Sequence, residues 1–145
     1  MKGVAVITGA SRGLGATFAK VFAEEGFAVA LGARDAGAIE TLAAELSGMG
    51  REAFAHPLDV GDPRSVETFR RAVLDRFGRV DALVNNAGLG IFRRLEEQSW
   101  EDWDRTFRVN VFGAWAMTTS FLPQLKERRG LVLMVSSDIS TRTFP

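Results

Sequence analysis

The chain has no cysteine and no tyrosine, a single histidine and four prolines among its 145 residues. Without cysteine there is no disulfide and no thiolate to hold a metal, and no metal site is expected. The same absence fits a cytoplasmic protein. Without tyrosine, no phenol can serve as an acid or base. The lone histidine, His56, precedes Pro57 and reads as structural rather than catalytic. Neither sign of charge is in excess, with 18 basic and 18 acidic residues. A balanced chain gives no reason to expect nucleic acid or an acidic membrane surface as a partner. No apolar stretch approaches the roughly 20 residues of a membrane span. The short run after Lys2 breaks at Thr8 and Gly9 and meets Arg12, so it is too short to be read as a signal peptide. Repeats, low-complexity tracts and linkers are also missing. What remains is one domain-sized chain, 46% hydrophobic and 25% charged, long enough for a real core.

The chain is organised around Thr8-Gly9-Ala10-Ser11-Arg12-Gly13-Leu14-Gly15. Val4 to Ile7, just before it, is the short apolar run of a buried parallel strand. Leu14, Phe18, Val21 and Phe22, after it, recur at helical spacing. The glycines therefore sit in a strand-to-helix turn. A helix start offers unpaired N–H groups and partial positive charge, so such a turn suits an anion, most simply a phosphate.

Strand-like and helix-like stretches alternate from there on. Strands are expected at Phe27–Leu31, Glu52–Leu58, Val80–Val84 and Leu131–Val135. One helix carries Ile39, Leu42 and Leu46. A second starts at Asp62-Pro63 and buries Val66, Phe69, Val73 and Phe77. A long third, capped by Ser99, carries Trp103, Phe107, Val111 and Phe121, with Pro123 bending or shortening it. Five strands alternating with four helices argue for an α/β fold with a parallel sheet. In such sheets ligands bind beyond the carboxyl ends of the strands. The polar and glycine-rich stretches fall at those ends: Thr8 to Gly15, Ala33-Arg34, Asp59-Val60, Asn85 to Gly88 and Ser136-Ser137. The carboxylate of Asp59 can accept a hydrogen bond from an adenine amino group. Two amides, Asn85 and Asn86, can tie neighbouring strands together, while Ala87 and Gly88 leave room for a ligand. Asn110 is a poor helix-interior residue among apolar neighbours.

The spacing Thr-Gly-x-x-x-Gly-x-Gly at Thr8 to Gly15 and the run Asn85-Asn86-Ala87-Gly88 resemble the short-chain dehydrogenase/reductase family, from residue 3 to the end. The resemblance implies a Rossmann-like doubly wound sheet with strand order 3-2-1-4-5 over residues 1–145. It implies an oxidoreductase that moves hydride between a nicotinamide and a small carbonyl or alcohol substrate. Cofactor contacts would fall on Gly9, Ser11, Arg12, Gly13, Leu14, Gly15, Arg34, Asp59, Val60, Asn86, Ala87 and Gly88. Ser137, the second of its pair, would polarise the substrate carbonyl, with Ser136 as the register alternative. Asn110 would belong to the catalytic set, through a held water and a local distortion of the helix backbone.

Cofactor choice follows from charge. NAD-binding relatives carry an acidic residue at the end of the second strand; the matching position here is Ala33, followed by Arg34. Arg34 and Arg12 would attract a 2′-phosphate, and arginine presents a donor fork suited to it. NADP is thus favoured over NAD. A spacing of about 20 residues from the glycines would instead select Asp35, and with it NAD. The family's Tyr-x-x-x-Lys motif, expected about a dozen residues after the serine, is absent; the sequence has no tyrosine and ends at Phe144-Pro145. The expectation is therefore an incomplete family domain, inactive by itself, with a homo-oligomer if the full domain exists. The alternative is a non-catalytic NADP(H)-binding module, or a piece that needs a partner chain.

Overall fold

The computed structural model describes residues 1–137. The expected domain extent to residue 145, including Phe144-Pro145, runs past them. Five strands, β1 (Val4–Thr8), β2 (Ala28–Ala33), β3 (Ala53–Pro57), β4 (Ala82–Asn85) and β5 (Leu131–Met134), form one sheet in the order β3-β2-β1-β4-β5. All four pairings are parallel, with Val6 opposite Ala30 and Leu83, and Val84 opposite Leu133. The helices are α1 (Gly13–Glu24), α2 (Ala36–Gly48), α3 (Pro63–Phe77), α4 (Trp100–Phe107) and α5 (Ala114–Arg128).

The two faces of the sheet are read from the period-two alternation of its strands. Ala5, Ile7, Val29 and Leu31 pack under α1 and α2, with Ala19, Ala23, Ile39, Leu42 and Leu46. Val6, Ala30 and Leu83 pack under α3 and α5, with Val66, Phe69, Val73, Met117, Phe121 and Leu125. Phe69 and Phe121 meet edge to face at 6.5 Å, joining the two helices of that layer. β1 and β2 are buried along their whole length, which is why they read as continuous apolar runs.

Local chemistry sets the helix ends. The Asp62 carboxylate accepts from the Arg64 N–H at 2.9 Å, Pro63 follows it, and Gly78 closes α3 with φ of 65°. Ser99 and Asp102 cap α4 reciprocally, each side chain accepting from the other's backbone N–H.

Three expectations are corrected. The fully buried face of α1 is Gly15, Ala19 and Ala23; Phe18 and Phe22 of the expected stripe pack against the core beside it, while Leu14 and Val21 are exposed. Small residues there let the helix axis lie close over β1 and β2, a requirement that hydrophobic periodicity does not reveal. The long helix after Ser99 is not regular α-helix throughout: a π turn over Arg108–Gly113 joins α4 to α5, a local distortion of the kind expected at Asn110. Pro123 does not shorten α5, which runs on to Arg128 with Phe121 and Leu125 burying its inner face. Strand boundaries also shift by one or two residues, as at β2, which runs on to Ala33, and at β4, which begins at Ala82 with Val80 buried ahead of it. His56 holds the structural place expected of it, its Nδ1 3.0 Å from the Pro57 carbonyl and its ring against Phe54 and Phe69.

Candidate functional site

A cleft of about 650 Å³ opens beyond the carboxyl ends of β1 to β4. Gly9, Ser11, Arg12, Arg34, Asp59, Val60, Asn86, Ala87 and Gly88 all line it, as expected, together with Ala33, Asp35, Leu58, Leu89 and Val109. Gly13, Leu14, Gly15, Asn110 and Ser137 do not. Gly13 and Leu14 begin α1 beside the cleft, and Ser137 is exposed three residues after β5.

The floor is built on Thr8, which is 1% exposed. Its hydroxyl donates to the Val84 carbonyl at 3.2 Å and accepts from the N–H groups of Asn86 at 3.0 Å and Ala87 at 2.9 Å. One donor and two lone pairs are thereby all used. The Asn86 side-chain amide returns the link, donating to the carbonyls of Thr8 and Gly9 at 3.0 and 3.2 Å. The glycine turn and the Asn86-Ala87 loop are thus one hydrogen-bonded unit. Gly9 turns with φ of 65°, in the left-handed region that favours glycine. Gly15 serves a different purpose from ligand approach. A Cβ on it would overlap the Gly9 carbonyl and lie 2.6 Å from Asn86 Nδ2, so it packs the helix onto the turn.

Asn85 is buried and faces the other way, donating to the Thr118 hydroxyl of α5 at 2.9 Å and approaching the Met134 sulfur at 3.2 Å. Asp59 spends one carboxylate oxygen on the Gly61 N–H at 2.9 Å while facing the cleft. Asn110 sits inside the π turn, where the expected distortion of the helix backbone is found. Its Oδ1 accepts from the Leu89 N–H at 2.7 Å and its Nδ2 donates to the Leu89 carbonyl at 2.8 Å. It therefore pairs like a strand neighbour with the loop that follows β4.

A dinucleotide fits these residues. The N-termini of α2, α3 and α4 are capped by Asp35, Asp62 and Ser99, whereas α1 follows Arg12 with no side-chain cap and no acidic residue in its first turn. Its leading N–H groups face the turn without an internal acceptor, and a Cβ added at Gly13 would meet nothing within 4 Å. Asp35 lines the cleft, but its Oδ1 accepts from the Ala38 N–H at 3.1 Å. Among the described residues, neither Arg12 nor Arg34 is held in an ion pair.

Reading the sequence placed Thr8 in the glycine turn but missed its hydroxyl as the junction beneath the cleft, and it missed Val109 as a lining residue. A threonine ending an otherwise apolar strand, just before the first glycine, was the available sign of the first. Val109 carries no chemical signal; it reaches the cleft through tertiary packing.

A model of the family described as short chain dehydrogenase matches residues 3–145. The chain is 39% identical over 143 residues to glycine betaine reductase ATRR of Emericella nidulans, spanning 98% of this chain and 11% of that protein. Its fold matches an alcohol dehydrogenase from the archaeon Thermococcus sibiricus, complexed with 5-hydroxy-NADP, with a TM-score of 0.94 and 49% identity over 99% of this chain and 61% of that one. A metagenomic short-chain oxidoreductase in complex with NADP matches with a TM-score of 0.85 and 35% identity, over 90% and 60% of the two chains. The chain thus spans less than two thirds of each of these proteins. With the family pattern matched from residue 3 onward and the turn, the Asn86 link and the sheet order in place, this chain belongs to the short-chain dehydrogenase family.

Proposed function

We propose that this chain forms the NADP(H)-binding part of an oxidoreductase acting on a carbonyl or alcohol substrate. The carrying observation is the cleft end at β2: Ala33 stands where an acidic residue would select NAD, and Arg34 and Arg12 line the same cleft. Asp35, which follows Arg34, directs its Oδ1 to capping α2. A 2′-phosphate entering there meets two guanidinium groups. The NADP-bound structures of similar chains support the same reading.

In this reading the glycine turn and the uncapped start of α1 hold the diphosphate. The Asp59 carboxylate and the backbone at Val60 take the adenine edge. Asn86, Ala87 and Gly88 form the wall for the ribose and nicotinamide. NADP(H) supplies or accepts the hydride. Ser137 donates a hydrogen bond to the substrate oxygen and stabilises charge developing there. Asn110 holds the Leu89 loop against the site. The proton donor or acceptor is not a phenol of these 145 residues, which hold no tyrosine. For the chain by itself, this favours a second reading, NADP(H) binding without turnover. In the whole protein the family chemistry would need a proton-transfer group from elsewhere, and a homo-oligomer is the assembly proposed for it.

Fluorescence titration with NADPH and NADH tests the carrying observation. Wild type is expected to prefer NADPH by roughly tenfold or more, and Arg34→Ala to lose most of that preference without losing NADH binding. Equal affinity for both cofactors in wild type, or an unchanged preference in Arg34→Ala, would refute the assignment.

A further inference from the structure

The π turn touches the cleft from two sides. Through Asn110 it holds Leu89, on the loop after β4. Through its last residue, Gly113, it reaches the loop after β3. Gly113 is buried and has φ of −62° and ψ of −48°, an ordinary helical conformation open to any residue. Its backbone therefore does not call for glycine, and glycine is less favourable than alanine inside a helix. What calls for it is contact. A Cβ at Gly113 would lie 2.8 Å from Val60 Cγ2 and 2.9 Å from both Val60 Cβ and the Val60 carbonyl oxygen. Val60 is 8% exposed and lines the cleft. The same turn closes on the loop a second time, since a Cβ on Gly61 would meet Val109 Cγ2 at 3.4 Å.

We propose that Gly113 is a positioning residue for the cofactor cleft, setting where the Val60 wall stands by letting the helix backbone rest directly against it. The inference rests on the NADP(H) reading above. Its physical basis is that a packed contact with no spare volume transmits displacement rather than absorbing it. An added methyl at Gly113 has backbone and a β-branched side chain to push, both belonging to a residue of the cleft wall. The Val60 loop is the part that moves, because the helix is fixed on its inner face by Met117 and Phe121.

The test compares Gly113→Ala, made in the wild-type chain and in a Val60→Ala background, with Gly130→Ala. A Cβ at Gly130 would press on the Asp81 carbonyl at 2.5 Å, at the opposite end of the sheet. NADPH affinity and the backbone amide NMR signals of residues 59–61 are read for each. Gly113→Ala is expected to weaken NADPH binding roughly tenfold or more and to shift those amide signals. In the Val60→Ala background the contact with Cγ2 is removed while those with Cβ and the carbonyl oxygen at 2.9 Å remain, so the same change is expected to cost measurably less than in the wild-type chain. Gly130→Ala is expected to lower thermal stability while leaving NADPH affinity and the 59–61 signals in place. Equal loss in both backgrounds, or an equal loss of affinity in Gly130→Ala, would overturn the proposal. If wild type binds no NADPH, the cofactor reading fails on that result alone. The positioning role is then decided by the amide signals, and unmoved signals in Gly113→Ala sink it.

Discussion

Replacing Thr8 by valine keeps the volume and β-branching of the side chain and removes only the hydroxyl. In the folded protein that hydroxyl satisfies the N–H groups of Asn86 and Ala87 and the Val84 carbonyl, all at the buried junction of β1 and β4. After the change both half-buried N–H groups lose the acceptor they share at a residue that is 1% exposed. A buried donor left unsatisfied costs about 1–3 kcal/mol, so two cost about 2–5 kcal/mol allowing for some relaxation. That is a large share of the about 5–15 kcal/mol that holds a domain of this kind together. Thr8→Ser keeps the hydroxyl and loses a buried methyl, for about 1 kcal/mol. Urea unfolding followed by circular dichroism reads both variants, with an unchanged slope as the check that the same transition is seen. The order of stability expected is wild type, then Thr8→Ser, then Thr8→Val. Thr8→Val as stable as Thr8→Ser would show that the hydroxyl is not the junction of the two loops.

Gly15→Ala is expected to be more damaging to cofactor binding than to helix propensity. The new Cβ collides with the Gly9 carbonyl and Asn86 and displaces the turn, so NADPH affinity should fall by roughly tenfold or more by titration. Asn110→Leu removes both links to Leu89 and should raise the hydrogen-exchange rate of the Leu89 amide while α5 amides near Phe121 keep theirs. Acid stability follows from three carboxylates. Burial pushes the Asp81 carboxyl up, but hydrogen bonds from Arg79 and the Val4 N–H outweigh it and hold it below the usual range. Arg70 and Arg71 lower Glu67 to about 2, and the Ser99 N–H lowers Asp102 against the opposing effect of burial. Depressed carboxylates stabilise the fold above their unfolded values, about 4, and lose that contribution as pH falls through the folded ones. The urea midpoint should therefore fall below about pH 4, and less steeply in Asp81→Asn than in wild type.

The fold was legible where the signal is local. β1 and β2 declare themselves as apolar runs because both faces of each are covered, and α3 because Asp62-Pro63 and Gly78 punctuate a clean stripe. The strand-end rule then located the cleft before any contact was known, which is why Gly9, Arg34, Asp59 and Asn86 were found together. What stayed hidden depends on pairs far apart in sequence. Thr8 serves Asn86 and Ala87 across 78 and 79 positions, and Asn110 pairs with a backbone 21 residues earlier. The inner face of α1 was only partly read, through Phe18 and Phe22, because the fully buried Ala19 and Ala23 carry little hydrophobic weight. The π turn leaves no mark in periodicity, since Trp103, Phe107 and Val111 sit outside the core and their spacing follows exposure rather than burial. Gly113 looks like any helix-weakening glycine until Val60 is seen against it.

The most direct test of the account is an NADPH fluorescence titration of the purified chain, with its intact mass measured on the same sample. At the mass of these 145 residues, the account predicts saturable binding at one NADPH per chain, displaced by NADP and only weakly by NAD. No saturation in a folded chain of that mass would contradict the claim that the glycine turn, Arg12, Arg34 and the Asn86 loop together form a cofactor site.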